Sequence, residues 1–308
     1  MSSAPPTINS LWVGDRLGFI ERLCVQSALA TGHDFRLFAY EPGKLKGVPE
    51  GVELRDAADI MPRDKLITYA DTGAVALGAN FWRYHLLSRG FSPWCDMDLL
   101  FVRQFPDSDY VFGWEHAGWI NNAVMAAPAD SPFVHDLLNL PKPNARPPWF
   151  GPRRSLLFYL RRFREGPLGF EDMPWGTYSS GLVTYLVKKH RLESTALAPA
   201  AFYPVTWADA RTLYGPAEQV DAVITPETIA VHLWHSRLGD LRLKPPPENS
   251  YVGRMARTLG NDTRREDDHF GLSARRGAEP LRHCRERRRL FGSRRRGVEQ
   301  AQSRSARP

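Results

Sequence analysis

The sequence predicts an α/β domain with a mostly parallel, Rossmann-like sheet flanked by helices, followed by an Arg-rich tail. Three observations predict it. A strand, a helix and a second strand follow one another within residues 9–40, which is the βαβ unit of a parallel sheet with a right-handed crossover. Further short apolar runs alternate with helical periodicity as far as residue 259. Beyond that point the apolar residues and the periodicity stop, and arginine accumulates.

The elements follow in order. Residues 9–14 read as a buried strand closed by Gly14, leaving 1–8 as a flexible N-terminus. Ile20, Leu23, Cys24 and Ala28 have helical spacing between Leu17 and Ala30, and Thr31-Gly32 ends that helix. Phe35, Leu37 and Ala39 alternate with their neighbours as a strand does. A loop with Gly43, Gly47, Pro49 and Gly51 precedes a helix over 74–88, which Gly90 closes. Trp94–Val102 reads as one extended run, and Tyr110–Trp114 and Ile120–Ala127 as two more strands. The proline-rich stretch 137–152 reads as irregular, 153–164 and 180–190 as helices, Thr228–Trp234 as a last strand, and 250–259 as a closing helix.

Charge divides the chain in the same place. The formal charge is +7, yet 14 arginines and seven acids lie from Gly260 onward, so residues 1–259 are neutral with 27 basic and 27 acidic residues. A neutral body excludes a basic nucleic-acid-binding globule, and no specific nucleic acid is expected as a partner. The tail, 260–308, cannot bury enough apolar area to offset chain entropy and is expected to be disordered. Two roles are open to such a tail: contact with an anionic membrane surface near a lipid-linked acceptor, or none, as a non-functional extension. Three cysteines make no disulfide framework. Neither a signal peptide nor a spanning apolar stretch is visible, so the protein is expected in the cytoplasm, peripheral at most to the inner membrane face.

Asp96-Met97-Asp98 is the chemical centre of the sequence. In an extended segment residues i and i+2 face one side, so both carboxylates would converge while Met97 faces away. Carboxylate oxygens suit a hard divalent cation, and phosphate oxygens complete its shell. The bare pattern is weak: with 19 Asp in the chain, about one Asp-x-Asp arises by composition alone. Asp107-Ser108-Asp109, after Pro106 in a polar turn, is such a case. The first pair differs because it lies between Trp94-Cys95 and the apolar run Leu99–Val102, where carboxylates need a reason to be. The plain alternative is a pair of turn or capping aspartates.

Together the segments resemble the retaining, metal-dependent glycosyltransferases of the GT-A type. The group concerned is glycosyltransferase family 32, which includes bacterial capsular and lipopolysaccharide sugar transferases, yeast initiation mannosyltransferases and α1,4-galactosyltransferases. The resemblance rests on Leu11-Trp12-Val13-Gly14, Ala79-Asn80-Phe81-Trp82-Arg83-Tyr84, Asp96-Met97-Asp98, Glu115 with Asn121-Asn122, and Val231-His232-Leu233-Trp234, in that order. It implies a GT-A domain over 9–259, with a nucleotide-sugar and metal half at 9–127 and an acceptor half at 128–259. Four positions depart from the family: Asn80 stands where an acid is usual, Gly90-Phe91-Ser92-Pro93 replaces Gly-Gly, Ser179-Ser180 replaces Gly-Pro, and His235 replaces an Asn.

The resemblance also implies roles. Asp98 and Asp96, with His232 as third ligand, would hold Mn²⁺ or Mg²⁺; the alternative for His232 is a satisfied core histidine. Arg83 would serve catalysis and bind the donor, together with Asn80, Asp96, Asn121 and Asn122. Trp12 would stack on the nucleobase or else pack in the core. Glu115, Trp175 and Tyr178 would serve the acceptor. The implied reaction moves a sugar from a nucleotide-diphosphate donor, UDP- ahead of GDP-linked, to a hydroxyl of a glycan or lipid-linked acceptor, with retention. Three other readings compete: a catalytically reduced sugar-nucleotide-binding homologue, favoured by Asn80; a nucleic-acid-associated protein led by the tail; and, ranked last for want of a Gly-rich phosphate loop after the first strand, a nucleotidyltransferase that makes activated sugars.

Overall fold

The structure, a computed structural model, describes residues 4–261. Apart from Gly260 and Asn261, the Arg-rich tail and the membrane contact assigned to it lie outside these residues.

The parallel half forms as the periodicity dictates. Strand β1 (Ile8–Trp12) leads into helix α1 (Phe19–Ala30), which returns the chain to β2 (Phe35–Ala39). The pair is parallel, with Ile8 opposite Phe35 and Trp12 opposite Ala39. Ile8 is fully buried, so the fold begins inside the stretch expected to be flexible. Gly32, at φ +89°, gives the left-handed turn after α1.

A strand absent from the sequence reading follows: β3 (Val52–Asp56), parallel to β2 at the sheet edge. Its charged Glu53, Arg55 and Asp56 weaken the apolar signal, as edge strands commonly do. Glu53 instead pairs with Arg36 at 2.7 Å. Helix α2 (Ala76–Ser88) then packs its buried face, with Leu77, Trp82, Tyr84, Leu86 and Leu87, under the sheet. Each fully buried side chain of this size contributes about 1.5–3 kcal/mol.

The expected extended run 94–102 is two strands. β4 (Trp94–Cys95) joins the main sheet beside β1, and β5 (Leu99–Phe101) leaves it to pair elsewhere. Between them Met97 and Asp98 form a turn. Leu233 N donates to Asp98 O at 2.8 Å, which pulls the chain out of the first sheet at this point. The strands β6 (Val111–His116) and β7 (Trp119–Ala126) form an antiparallel hairpin beside β4.

Helix α3 (Pro132–Asn139) replaces the start of the stretch expected to be irregular. Its signal was present in the sequence: Ser131 Oγ accepts from Val134 N at 3.3 Å, and Pro132 occupies the first helical position. Helix α4 (Pro152–Glu165) and helix α5 (Leu182–Lys189) follow, the latter entered through an irregular π turn over Thr177–Gly181.

Short elements complete the body: β8 (Ala196–Leu197), α6 (Pro199–Phe202), α7 (Ala217–Asp221), β9 (Ala230–His232), α8 (His235–Leu238) and α9 (Tyr251–Thr258). The main sheet has the order β3-β2-β1-β4-β7-β6-β8 and is mostly parallel; β5 and β9 form a second, antiparallel pair. Cys24 and Cys95 are buried and free. Asp107 and Asp109 are exposed in a loop. No helix among the described residues is long and apolar enough to cross a membrane.

Candidate functional site

The turn between β4 and β5 opens onto a cleft of about 730 Å³ at the carboxyl end of β1. This is where open α/β sheets carry their ligands. Asp96 and Asp98 line it, but not through strand alternation. Asp96 N still bonds to Ala123 O at 2.8 Å, at the end of the main sheet. Asp98 lies past the turn, against β9 and α8. The two carboxylates meet because the chain changes sheets between them.

His232 ends β9, facing opposite to the buried Val231. Its Nε2 stands 3.2 Å from Asp98 Oδ1, and one oxygen each from Asp96 and Asp98 lies within 4.8 Å of a His232 ring nitrogen and of each other. Two carboxylate oxygens and an imidazole nitrogen suit Mn²⁺ or Mg²⁺. His232 Nδ1 is buried with no hydrogen-bond partner among the described residues, while Nε2 is the nitrogen turned toward Asp98. The residues therefore fit a divalent cation. Below the ring, Tyr203 and Trp234 pack edge-on at 5.6 and 4.1 Å.

Trp234 turns the chain at this point with φ +52° and ψ +54°, a left-handed conformation that is costly for an aromatic residue. Its indole N–H donates to Val205 O at 2.8 Å and anchors the turn. The turn aims His235 N at Asp98 Oδ2, 2.9 Å away. Burial alone would push the Asp98 carboxyl up. The His232 charge and hydrogen bond, with the His235 N–H, outweigh burial and hold it well below the usual range. For His232, burial pushes the ring down, but the Asp98 carboxylate outweighs that and raises it.

Asp96 has a different neighbourhood. Trp94 Nε1 donates to its Oδ1 at 2.8 Å, and Arg83 Nη1 stands 2.9 Å from the same oxygen. Burial raises the Asp96 carboxyl; Arg83 opposes it, and the nearby Asp98 charge adds to the rise. Arg83 comes from the buried face of α2, donates to Asn122 O at 2.7 Å, and lies 4.6 Å from the Trp94 ring centre. It is thus locked on three sides with its guanidinium at the cleft. Asn80, one helical turn earlier, accepts from Asn122 Nδ2 at 2.9 Å.

The hairpin supplies the facing wall. Asn121 Nδ2 donates to Glu115 Oε2 at 2.8 Å, while Asn121 Oδ1 accepts from Ala123 N. Trp12 lines the cleft beside the β1 end, half-buried, its indole N–H on Arg16 O at 2.9 Å. Trp175 is 66% exposed at the rim and stacks on Tyr69 with ring centres 4.8 Å apart.

Tyr178 is the one expected site residue that does not reach the cleft. It is 2% exposed and its ring packs among Phe81, Trp149 and Phe170. In the non-helical turn at Tyr178 and Ser179 its carbonyl accepts from Tyr84, and Ser179 and Ser180 line the cleft instead. Sequence reasoning missed Glu21 as well. This buried acid at the start of α1 holds His235 Nε2 at 2.9 Å, across the cleft from the hairpin. The available signal was a carboxylate among the apolar Phe19, Ile20 and Leu23.

The carboxy-terminal part of the body, residues 168–259, matches the family model described as "Alpha 1,4-glycosyltransferase conserved region". No curated protein matches the chain. The matched stretch includes the Trp175–Ser180 rim, His232 and the Trp234 turn, while Asp96 and Asp98 reach the same cleft from outside it. The chain is a glycosyltransferase whose residues 168–259 are similar to that conserved region.

Proposed function

We propose that this glycosyltransferase moves a sugar from a UDP-sugar donor to a hydroxyl of a glycan or lipid-linked acceptor, with a divalent cation and with retention of configuration. One observation carries the reading: Asp96, Asp98, His232 and Arg83 converge on one cleft from three separated parts of the chain. A structural role alone does not require two carboxylates side by side there.

Asp96, Asp98 and His232 would hold Mn²⁺ or Mg²⁺, which when bound neutralises negative charge developing on the leaving diphosphate. Arg83, fixed by Asn122 O and Trp94, offers its remaining N–H groups to phosphate or sugar oxygens without reorganising. Asn122 Nδ2 donates to Asn80 Oδ1 and links β7 to α2, and in this reading both amides lie at the donor sugar. Trp12 offers a ring to the nucleobase. Trp175, on the rim, suits a sugar face of the acceptor.

Four carboxylates line the cleft. Apart from Asp96 and Asp98, Glu21 is held by His235 and Glu115 by Asn121. The reading assigns no enzymatic nucleophile, and a front-face mechanism needs none. The reading therefore has the departing phosphate take the acceptor proton on the same face, which yields retention.

The test is a donor-hydrolysis and transfer screen over UDP- and GDP-sugars with Mn²⁺ and with EDTA. Turnover of one UDP-sugar, abolished by EDTA and by Asp98→Ala, is the expected result. Normal turnover of the Asp98→Ala variant would end the metal assignment. Tight donor binding without turnover would favour the reduced homologue, for which Asn80 in its buried pair with Asn122 is the supporting observation.

A further inference from the structure

Helix α4 has its apolar stripe on the wrong side for a soluble protein. Leu156, Leu160 and Phe163 are 59%, 51% and 90% exposed, and Tyr159 beside them is 55% exposed. At 3.6 residues per turn, positions 156, 160 and 163 fall within roughly 60° of one another. They form one continuous ridge facing away from the body. Toward the body the helix buries only Phe158, which joins Tyr69, Phe150, Leu168 and Met173. A helix serving the core would show the reverse pattern.

The charges on the same helix are nearly all of one sign. Five arginines face a single acid, Glu165. That acid is spent on Arg161 at 2.7 Å, and Asp172 also reaches Arg161. No carboxylate pairs with Arg153, Arg154 or Arg164 among the described residues. Arg153 and Arg164 border the ridge along one side, one near each end of the helix. A ridge of Leu, Tyr and Phe bordered by unpaired arginines is the pattern of a helix lying in a bilayer interface.

We propose that α4 is a membrane-docking helix, seated parallel to the surface of an anionic bilayer with Leu156, Leu160 and Phe163 in the acyl boundary. Charge complementarity decides among the occupants. A second copy packed across a two-fold axis would bring two sets of these arginines together. The chain's own segment 262–308 carries 14 arginines against seven acids and would be repelled as well. Anionic headgroups attract both Arg153 and Arg164. The inference does not rest on the proposed donor or cation. Phe158 shares its cluster with Tyr69, whose ring supports Trp175 on the rim.

The experiment is co-sedimentation of the full chain with phosphatidylcholine vesicles, with and without about a third phosphatidylglycerol. Binding is expected only to the anionic vesicles. It should fall at least roughly tenfold in Leu156→Gln/Leu160→Gln/Phe163→Gln and roughly tenfold in Arg153→Gln/Arg164→Gln. Both variants change exposed side chains only, so thermal midpoint and turnover of soluble substrates should stay unchanged. Three results would each overturn the proposal: no binding of the parent to anionic vesicles; equal binding by the apolar triple variant, which would assign the contact to another surface such as the tail; or a dimer that the triple variant dissolves with vesicle binding unchanged.

Discussion

Replacing Arg83 by Met keeps the bulk of the side chain and removes its charge. Arg83 is buried, at 2.9 Å from Asp96 Oδ1 and 2.7 Å from Asn122 O. The variant strands the Asp96 carboxylate and orphans a carbonyl. Breaking a buried ion pair costs about 3–5 kcal/mol, because the remaining charge is left without its partner. Asp96 retains 29% side-chain exposure and the Trp94 N–H, so the lower end applies, about 3 kcal/mol. For a body of this size that is a fall in Tm of roughly 6–12 °C. The decisive assay is a double-mutant cycle by urea denaturation. If the cost lies in the unpaired charge, Arg83→Met/Asp96→Asn recovers about half of the loss or more, by at least roughly 1.5 kcal/mol. A double variant no more stable than Arg83→Met would refute the reasoning and assign Arg83 to packing alone.

Other consequences follow from particular contacts. A Cβ on Gly113 would meet Tyr203 Cε2 at 2.7 Å and Phe202 Cδ2 at 2.9 Å. Gly113→Ala should therefore cost about 1–3 kcal/mol in urea denaturation. Through Tyr203, whose ring faces His232, it should also slow turnover. Trp175→Ala should raise the KM for acceptor with little change in Tm, since the side chain is mostly exposed; an unchanged KM would remove Trp175 from the acceptor site. Burial pushes the Asp136 carboxyl up, but its bonds to Lys189 and His190, both 2.7 Å, outweigh that and lower it. A depressed carboxyl stabilises the fold above its unfolded value of about 3.9, and that stability disappears as pH falls through the lower folded value. Asp136→Asn should thus cost about 1 kcal/mol at neutral pH and flatten the acid side of the stability profile below about pH 4.

What the sequence revealed was local. The β1-α1-β2 unit was legible because apolar periodicity and a glycine stop lie within one short stretch. The edge strand β3 was not, because its half-exposed residues mix Val52 and Leu54 with Glu53 and Arg55. The convergence of Asp96 and Asp98 was anticipated, but through the wrong geometry. Strand alternation would place both on one sheet, whereas hydrogen bonds from Leu233 and His235, far along the chain, draw Asp98 onto another. No local pattern carries that information. The same limit hid the Glu21–His235 pair. Tyr178 looked like a rim aromatic beside Trp175, yet the irregular turn entering α5 sends its ring inward, a backbone effect without a residue signature.

The central claim is that Asp96, Asp98 and His232 form one cation site that also binds a nucleoside diphosphate. The direct measurement is a Mn²⁺ titration followed by the EPR signal of free Mn²⁺, with and without UDP, on the parent chain and Asp98→Ala. The account predicts one Mn²⁺ per parent chain, held at least roughly tenfold more tightly with UDP present, and loss of both effects in Asp98→Ala. Equal Mn²⁺ stoichiometry and equal UDP coupling in the variant would contradict it.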